Sequence, residues 1–101
     1  MRVVAYGNLR DYGLRHPDAK PSLKRWNAIV RKGRWRTMQE VAANFGSAAK
    51  VLNDSRCRFA IHGGSCRLIV SFDFRRQAAY LKFIGTHPES DQVDALTVAQ
   101  F

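Results

Sequence analysis

The stretch Arg56-Cys57-Arg58-Phe59-Ala60-Ile61-His62-Gly63-Gly64-Ser65-Cys66-Arg67-Leu68-Ile69-Val70-Ser71-Phe72 decides the fold of this 101-residue chain. Its residues alternate with period two, the signature of strands buried on one face. Cys57, Phe59, Ile61, Cys66, Leu68, Val70 and Phe72 fall on one side. Arg56, Arg58, Ala60, Arg67, Ile69 and Ser71 fall on the other. Between the two runs, His62-Gly63-Gly64-Ser65 supplies the glycines that a hairpin loop wants. A third run, Ala78–Gly85, adds Ala79, Leu81 and Phe83 to the apolar side and Ala78, Tyr80, Lys82 and Ile84 to the other. Arg75-Arg76 makes the tip before it. The three segments, Arg56–Ile61, Cys66–Phe72 and Ala78–Gly85, read as an antiparallel meander whose apolar face is covered and whose second face is wet.

Pairing Ile61 with Cys66 and Phe72 with Ala79 sets a definite expectation for that second face. Arg67 then lies opposite Ile84 and Lys82 opposite Ile69, so Arg67 and Lys82 become diagonal neighbours within reach of one phosphate. Because the side-chain period is two, a slip of one residue would undo the arrangement.

Upstream of the decisive stretch the pattern is helical. Met1–Tyr6 reads as a short strand. Asn8 is placed to cap a helix running to about Arg15, stopped by His16-Pro17-Asp18. Pro21-Ser22 opens a second helix to about Lys32, with Leu23, Trp26, Ile29 and Val30 at helical spacing, and Gly33 ends it. Thr37 caps a short third helix through Met38, Val41 and Ala42 that ends before Phe45-Gly46. Helices first and strands after, with no linker, give an α+β class in one domain spanning residues 1–101.

Charge narrows the partner. Seventeen Lys and Arg against eight Asp and Glu give a net +9, with 46% hydrophobic residues to build a core. A folded domain with such an excess repels itself, which points to a polyanionic partner and away from self-association. The excess is local as well. From Lys20 to Gln39 there are seven bases (Lys20, Lys24, Arg25, Arg31, Lys32, Arg34 and Arg36) and no acid, a run that suits phosphates or an acidic protein. No apolar run nears the roughly 20 residues of a membrane span. The first residues turn polar too soon for a signal peptide, so a cytoplasmic protein without membrane contact is expected.

The two cysteines, with His62 between them, form Cys57-x4-His62-x3-Cys66. That spacing matches no common zinc module, so they read as small core residues and the chain as one needing neither metal nor cofactor. His16 precedes Pro17 at a helix end and needs no special role, and His62 sits at a hairpin tip.

The basic second face has chemistry of its own. RNA can be cut without metal when its 2′-hydroxyl attacks the adjacent phosphorus in line and the 5′-oxygen leaves. The enzyme must align the attack, neutralise the phosphoryl oxygens and move protons. Arg67 is the expected clamp on the phosphate, because a guanidinium fork meets two oxygens at once. Lys82 adds charge, and His87, just past the third strand, is the acid or base. Tyr80 is placed to stack a base, and Arg56, Arg58, Arg75 and Arg76 to hold the RNA backbone.

At these residues the chain resembles the HigB toxin family of the RelE superfamily. Phe59–Val70 resembles the family's F-N-x-G-G-N-x-x-R-L-I-V block, and Tyr80–His87 its Y-I-[RK]-F-V-G-T-H block, followed by Asp91. Upstream, His16–Ala19 and Leu23 to Trp35 resemble its helical hairpin, and Phe45–Ala48 its F-P-S-A step. The likeness runs from about Arg2 to Asp94. It implies a RelE-like compact domain, with N-terminal helices packed on one face of a twisted, mainly antiparallel sheet. It implies a metal-independent, ribosome-dependent endoribonuclease that cuts translated mRNA, with Arg67, Lys82 and His87 at its centre. It also implies a helix-turn-helix antitoxin of the HigA kind, with operator DNA reached only through their complex. Ala60 stands where relatives have asparagine, and Gly64 or Ser65 where they have a second one. Ser90 stands where many carry tyrosine. These departures point to a weaker or differently selective enzyme, or to a subunit that binds nucleic acid and autoregulates without cutting. A gyrase-poisoning relative is the remaining alternative.

Overall fold

The decisive hairpin forms with the expected pairing: strands β3 (Arg56–Ile61) and β4 (Cys66–Asp73) join Ile61 to Cys66 and Phe59 to Leu68. The computed structural model describes residues Met1–Phe101. The other elements in chain order are β1 (Arg2–Val4), α1 (Tyr6–Arg15), α2 (Lys20–Lys32), α3 (Met38–Ala43), β2 (Ala49–Val51), β5 (Ala78–Thr86) and α4 (His87–Ser90). The five strands form one sheet in the order β1-β5-β4-β3-β2, with β1 parallel to β5 and the remaining pairs antiparallel. No helix is long and apolar enough to cross a membrane.

Helix boundaries follow local chemistry. Thr37 caps α3 as expected, its hydroxyl accepting from the Glu40 N–H at 3.2 Å. Gly33 ends α2, and its lack of a side chain matters for space: a Cβ there would stand 2.5 Å from the Trp35 ring. Helix α1 corrects the expectation. It starts at Tyr6 with Ala5 as its cap, not near Asn8, because Ala5 adopts a left-handed φ of 69° and turns the chain straight out of β1. Tyr6 therefore belongs to α1.

The helices cover the apolar side of the sheet. Trp26 meets Phe59 edge-on at 5.5 Å, and Phe59 in turn meets Phe45 at 4.8 Å. Leu9, Leu23, Val30 and Val41 pack with Leu68, Val70 and Leu81 in the same core. Cys57 and Cys66 are both buried there, bearing out their reading as core residues. Burial pushes the Cys57 thiol up to about 12 and the Cys66 thiol to about 11, which keeps both unreactive.

The pairing of β4 with β5 departs from the expectation. Phe72 does face Ala79, and Val70 faces Leu81, but Ile69 faces Phe83, so Lys82 is the extra residue of a β-bulge. Beyond it the register is shifted by one: Leu68 faces Ile84 and Arg67 faces Gly85. The faces of β5 change accordingly. Ile84 joins the core, and Phe83, expected there, turns to the second face. A bulge adds a residue to one strand only, so alternation on that strand cannot continue through it.

The second face is not wholly wet. Ile69 and Phe83 on it are 0% and 5% exposed although neither belongs to the helix-covered core. The carboxy-terminal segment is fixed on this side at both ends of its path. Arg56 Nη1 donates to the Ala95 and Val98 carbonyls at 3.0 and 2.9 Å. Past the point where β1 stops, the Gln100 N–H donates to the Lys82 carbonyl at 2.8 Å, and the Ile84 N–H to Gln100 Oε1 at 2.9 Å. The segment thereby satisfies backbone groups that the bulge and the short β1 leave free.

Candidate functional site

The hairpin His62-Gly63-Gly64-Ser65 organises one end of the second face. His62, Gly63 and Gly64 all have left-handed φ values, of 52°, 65° and 91°. Gly63 and Gly64 tolerate this freely and His62 does so under strain, held by Ser65, whose N–H and hydroxyl both donate to the His62 carbonyl. The Gly64 and Ser65 carbonyls then serve as anchors. Arg67 Nε donates to the Gly64 carbonyl at 3.0 Å, and the His87 N–H donates to the Ser65 carbonyl at 3.0 Å. Arg67 and His87, twenty residues apart in sequence, are thus tethered to consecutive carbonyls of one loop.

Helix α4 sets the angle at which His87 leaves the sheet. Thr86 Oγ1 accepts from the Glu89 N–H at 3.2 Å while the Thr86 N–H donates to Glu89 Oε1 at 2.9 Å, a complete capping box. The Thr86 backbone N–H, and after it the Thr86 hydroxyl, hold the Glu89 carboxyl below its ordinary value. His87 is the first residue of the helix and is exposed, with its Nε2 3.7 Å from Asp91 Oδ2. The motif Thr86-x-x-Glu89 is the signal that could have announced this helix, which was not expected, and Asp91 is the residue facing His87 that was left without a role.

Lys82 is not where the pairing argument put it. The bulge removes it from the position opposite Ile69, and Phe83 occupies that place. The Phe83 ring lies over Gly85, where an added Cβ would come within 2.7 Å of its Cζ. An aromatic side chain therefore sits on the strand between Lys82 and the Gly85–Arg67 pair. Lys82 instead places its Nζ 5.7 Å from the centre of the Tyr80 ring. The scheme of Arg67 and Lys82 as diagonal neighbours on one phosphate is corrected, and the bulge is its cause.

The other bases divide by position. Arg58 is half-buried beside Ile69 in the middle of the face. Arg75 and Arg76 are exposed at the β4–β5 turn, as expected, with the Arg76 N–H donating to Asp73 Oδ1. Arg56, grouped by sequence with the RNA-facing bases, directs its guanidinium to the carboxy-terminal segment, because the Ala95 and Val98 carbonyls converge on it.

Residues 19–93 match the family model of the HigB toxin, described as the RelE-like toxic component of a toxin–antitoxin system. The matched span takes in the hairpin, Arg67, Lys82 and His87. No curated protein matches the chain.

Proposed function

Because the chain belongs to the HigB toxin family, the RelE-like toxic component of a toxin–antitoxin system, we propose that it arrests growth as an endoribonuclease that cuts translated messages on the ribosome. An antitoxin is its partner by the same membership, and the proposal extends to a helix-turn-helix antitoxin of the HigA kind that carries the pair to operator DNA. The observation that carries the reading is the tethering of Arg67 and His87 to the adjacent Gly64 and Ser65 carbonyls.

Arg67 is the residue that meets the scissile phosphate. Its Nε is spent on Gly64, which leaves the two terminal nitrogens to face the phosphoryl oxygens. The 2′-oxygen attacks phosphorus and gives its proton to solvent water, the bond from phosphorus to the 5′-oxygen breaks, and a cyclic phosphate forms. His87 donates the proton that the leaving 5′-oxygen requires, and Asp91 turns the imidazole. Lys82 and Tyr80, displaced from that phosphate, hold the neighbouring nucleotide, the ring by stacking and the ammonium by charge. Arg58, Arg75 and Arg76 contribute backbone attraction, and no step calls for a metal.

The test is a brief induction in cells with 5′ ends mapped in total RNA. The reading expects in-frame cuts that vanish when translation is blocked. Arg67→Ala should lower cutting by about 10²–10³-fold, the effect of removing one preorganised charge stabiliser. Growth arrest with intact messages overturns the reading.

A further inference from the structure

The basic run between Lys20 and Arg36 does not stay on one helix face. Lys20 and Lys24 border the groove between α1 and α2, whereas Arg34 and Arg36 turn toward β1, and Arg31 stands between the two places with its guanidinium on Asn27 and Tyr6 of that groove. All three border, with Arg2 of β1, an open cavity of about 600 Å³, which no acidic residue lines. Arg2 pairs with Ala78 at the start of β5, while the Arg67–His87 end adjoins its last residue. At about 3.3 Å per residue, the nine-residue strand puts the two ends roughly 26 Å apart.

None of the four arginines is held by an acid, and Arg2, Arg34 and Arg36 make no side-chain hydrogen bond, whereas Arg31 does. The ion pairs of the molecule are Arg10–Asp11, Arg76–Asp73 and His87–Asp91, so none uses them. Arg31 rests on Asn27 and over the Tyr6 ring, and all four are exposed. The backbone that carries them is fixed by Gln77. Its carbonyl accepts the Arg2 N–H at 2.9 Å, and its Nε2 donates to the Trp35 carbonyl at 2.6 Å, between Arg34 and Arg36. Gln77 keeps a left-handed φ of 51° to do so, and its Oε1 is buried without a partner. A non-glycine residue persists in that conformation only where its surroundings impose it.

We propose that this cavity is a second phosphate-binding site, one that grips the backbone of folded RNA away from the nucleotide to be cut. The inference takes the class of polymer from the function proposed above and is independent of the Arg67–His87 end. Chemistry favours a nucleic acid over an acidic protein segment. Trp35 and Met1 are only 7% and 9% exposed, which leaves the half-buried Phe74 as the one apolar side chain on which a peptide could anchor, whereas guanidinium groups on β1, on α2 and in the segment after α2 suit successive phosphates. Contacts of this kind position a polyanion without reading its bases.

The experiment uses the full chain carrying His87→Ala, so that RNA is not consumed, and titrates a labelled RNA hairpin and a labelled trinucleotide. Adding Arg34→Ala with Arg36→Ala should weaken hairpin binding at least about tenfold and reduce the salt slope by about 1 to 2, leaving the trinucleotide unchanged. Arg2→Glu, remote in sequence, should weaken hairpin binding as well. Arg34→Lys with Arg36→Lys should give an intermediate affinity and shows that charge, rather than unfolding, is read. Unchanged hairpin affinity in the alanine pair overturns the proposal. So does loss of antitoxin binding with hairpin binding intact, which would assign the cavity to a protein. Intact messages in induced cells, with hairpin binding still lost in the alanine pair, would defeat the nuclease reading and leave this site standing.

Discussion

The two faces of the sheet are built from the same strands but obey different rules. On the helix-covered face every position is decided by burial, and neighbours such as Phe59, Leu68 and Val70 interlock at 0% exposure. The second face is decided by backbone irregularity: a bulge at Lys82, a strained hairpin and a segment held by paired hydrogen bonds at Arg56 and at Gln100. Burial makes the first face stable and tolerant of no loss of volume. Around buried Ile69 and Phe83, the second face is assembled from polar contacts, which is where a binding surface can be shaped without cost to the helix-covered core.

Adjacent residues of β3 offer the sharpest way to break this contrast. Phe59→Ala empties a fully buried site bordered by Trp26, Phe45 and Phe72. It should cost about 3–5 kcal/mol, read as a shifted midpoint in urea unfolding. Arg58→Ala, one residue away on the other face, should cost no more than about 1 kcal/mol. Equal losses would mean that the second face carries as much of the fold as the first.

Arg56 probes the irregular side more gently. Its guanidinium holds two carbonyls of the carboxy-terminal segment, and bonds from a charged donor are worth about 1.5–3 kcal/mol. Arg56→Ala should therefore release that segment locally. Faster hydrogen exchange is expected at the Gln100 amide, which bonds to Lys82, with little change at Leu68 in the core. Unaltered exchange at Gln100 would show that the segment is held by other contacts.

This contrast also explains what the sequence made legible. The alternation in Arg56–Phe72 announced the hairpin and the core face because apolar burial leaves a periodic trace, and Thr37 announced α3 through its hydroxyl. Lys82 gave no warning of the bulge, since nothing in Leu81-Lys82-Phe83 distinguishes a residue in register from one extra. The errors over Ile84 and Phe83 followed from that single insertion. Strand β2 is three residues long, too short for a pattern. The placement of Arg56 against the carboxy-terminal segment depends on residues about forty positions away, which no local window joins. The place of His87 just past β5 was legible, but the bond from its N–H to Ser65 and the approach of Asp91 needed the fold. The hairpin, rather than the strand pairing, ties Arg67 Nε and the His87 N–H to consecutive carbonyls, so the register shift leaves those two bonds in place.

The capping box at the end of β5 supplies the finest test, because it concerns a single turn. The Glu89 carboxyl is held below its ordinary value of 4.5 by the Thr86 backbone N–H, then by the Thr86 hydroxyl. A carboxyl whose pKa is depressed on folding lends stability that is fully present above the unfolded value and is lost as pH falls through the folded one. Between neutral pH and about 5 the turn should be constant; below 4.5 it should loosen progressively as Glu89 takes a proton and Oε1 ceases to accept well from Thr86. The group is almost fully exposed, so the global melting temperature should hardly register the change. The Thr86 amide should: its proton shift moves and its exchange, corrected for the intrinsic pH dependence, quickens over that range. In Glu89→Gln, which keeps an acceptor but does not titrate, the pH-dependent shift should vanish while the helix persists. If the shift remains in Glu89→Gln, the bond from the Thr86 N–H to Glu89 is not what holds the turn.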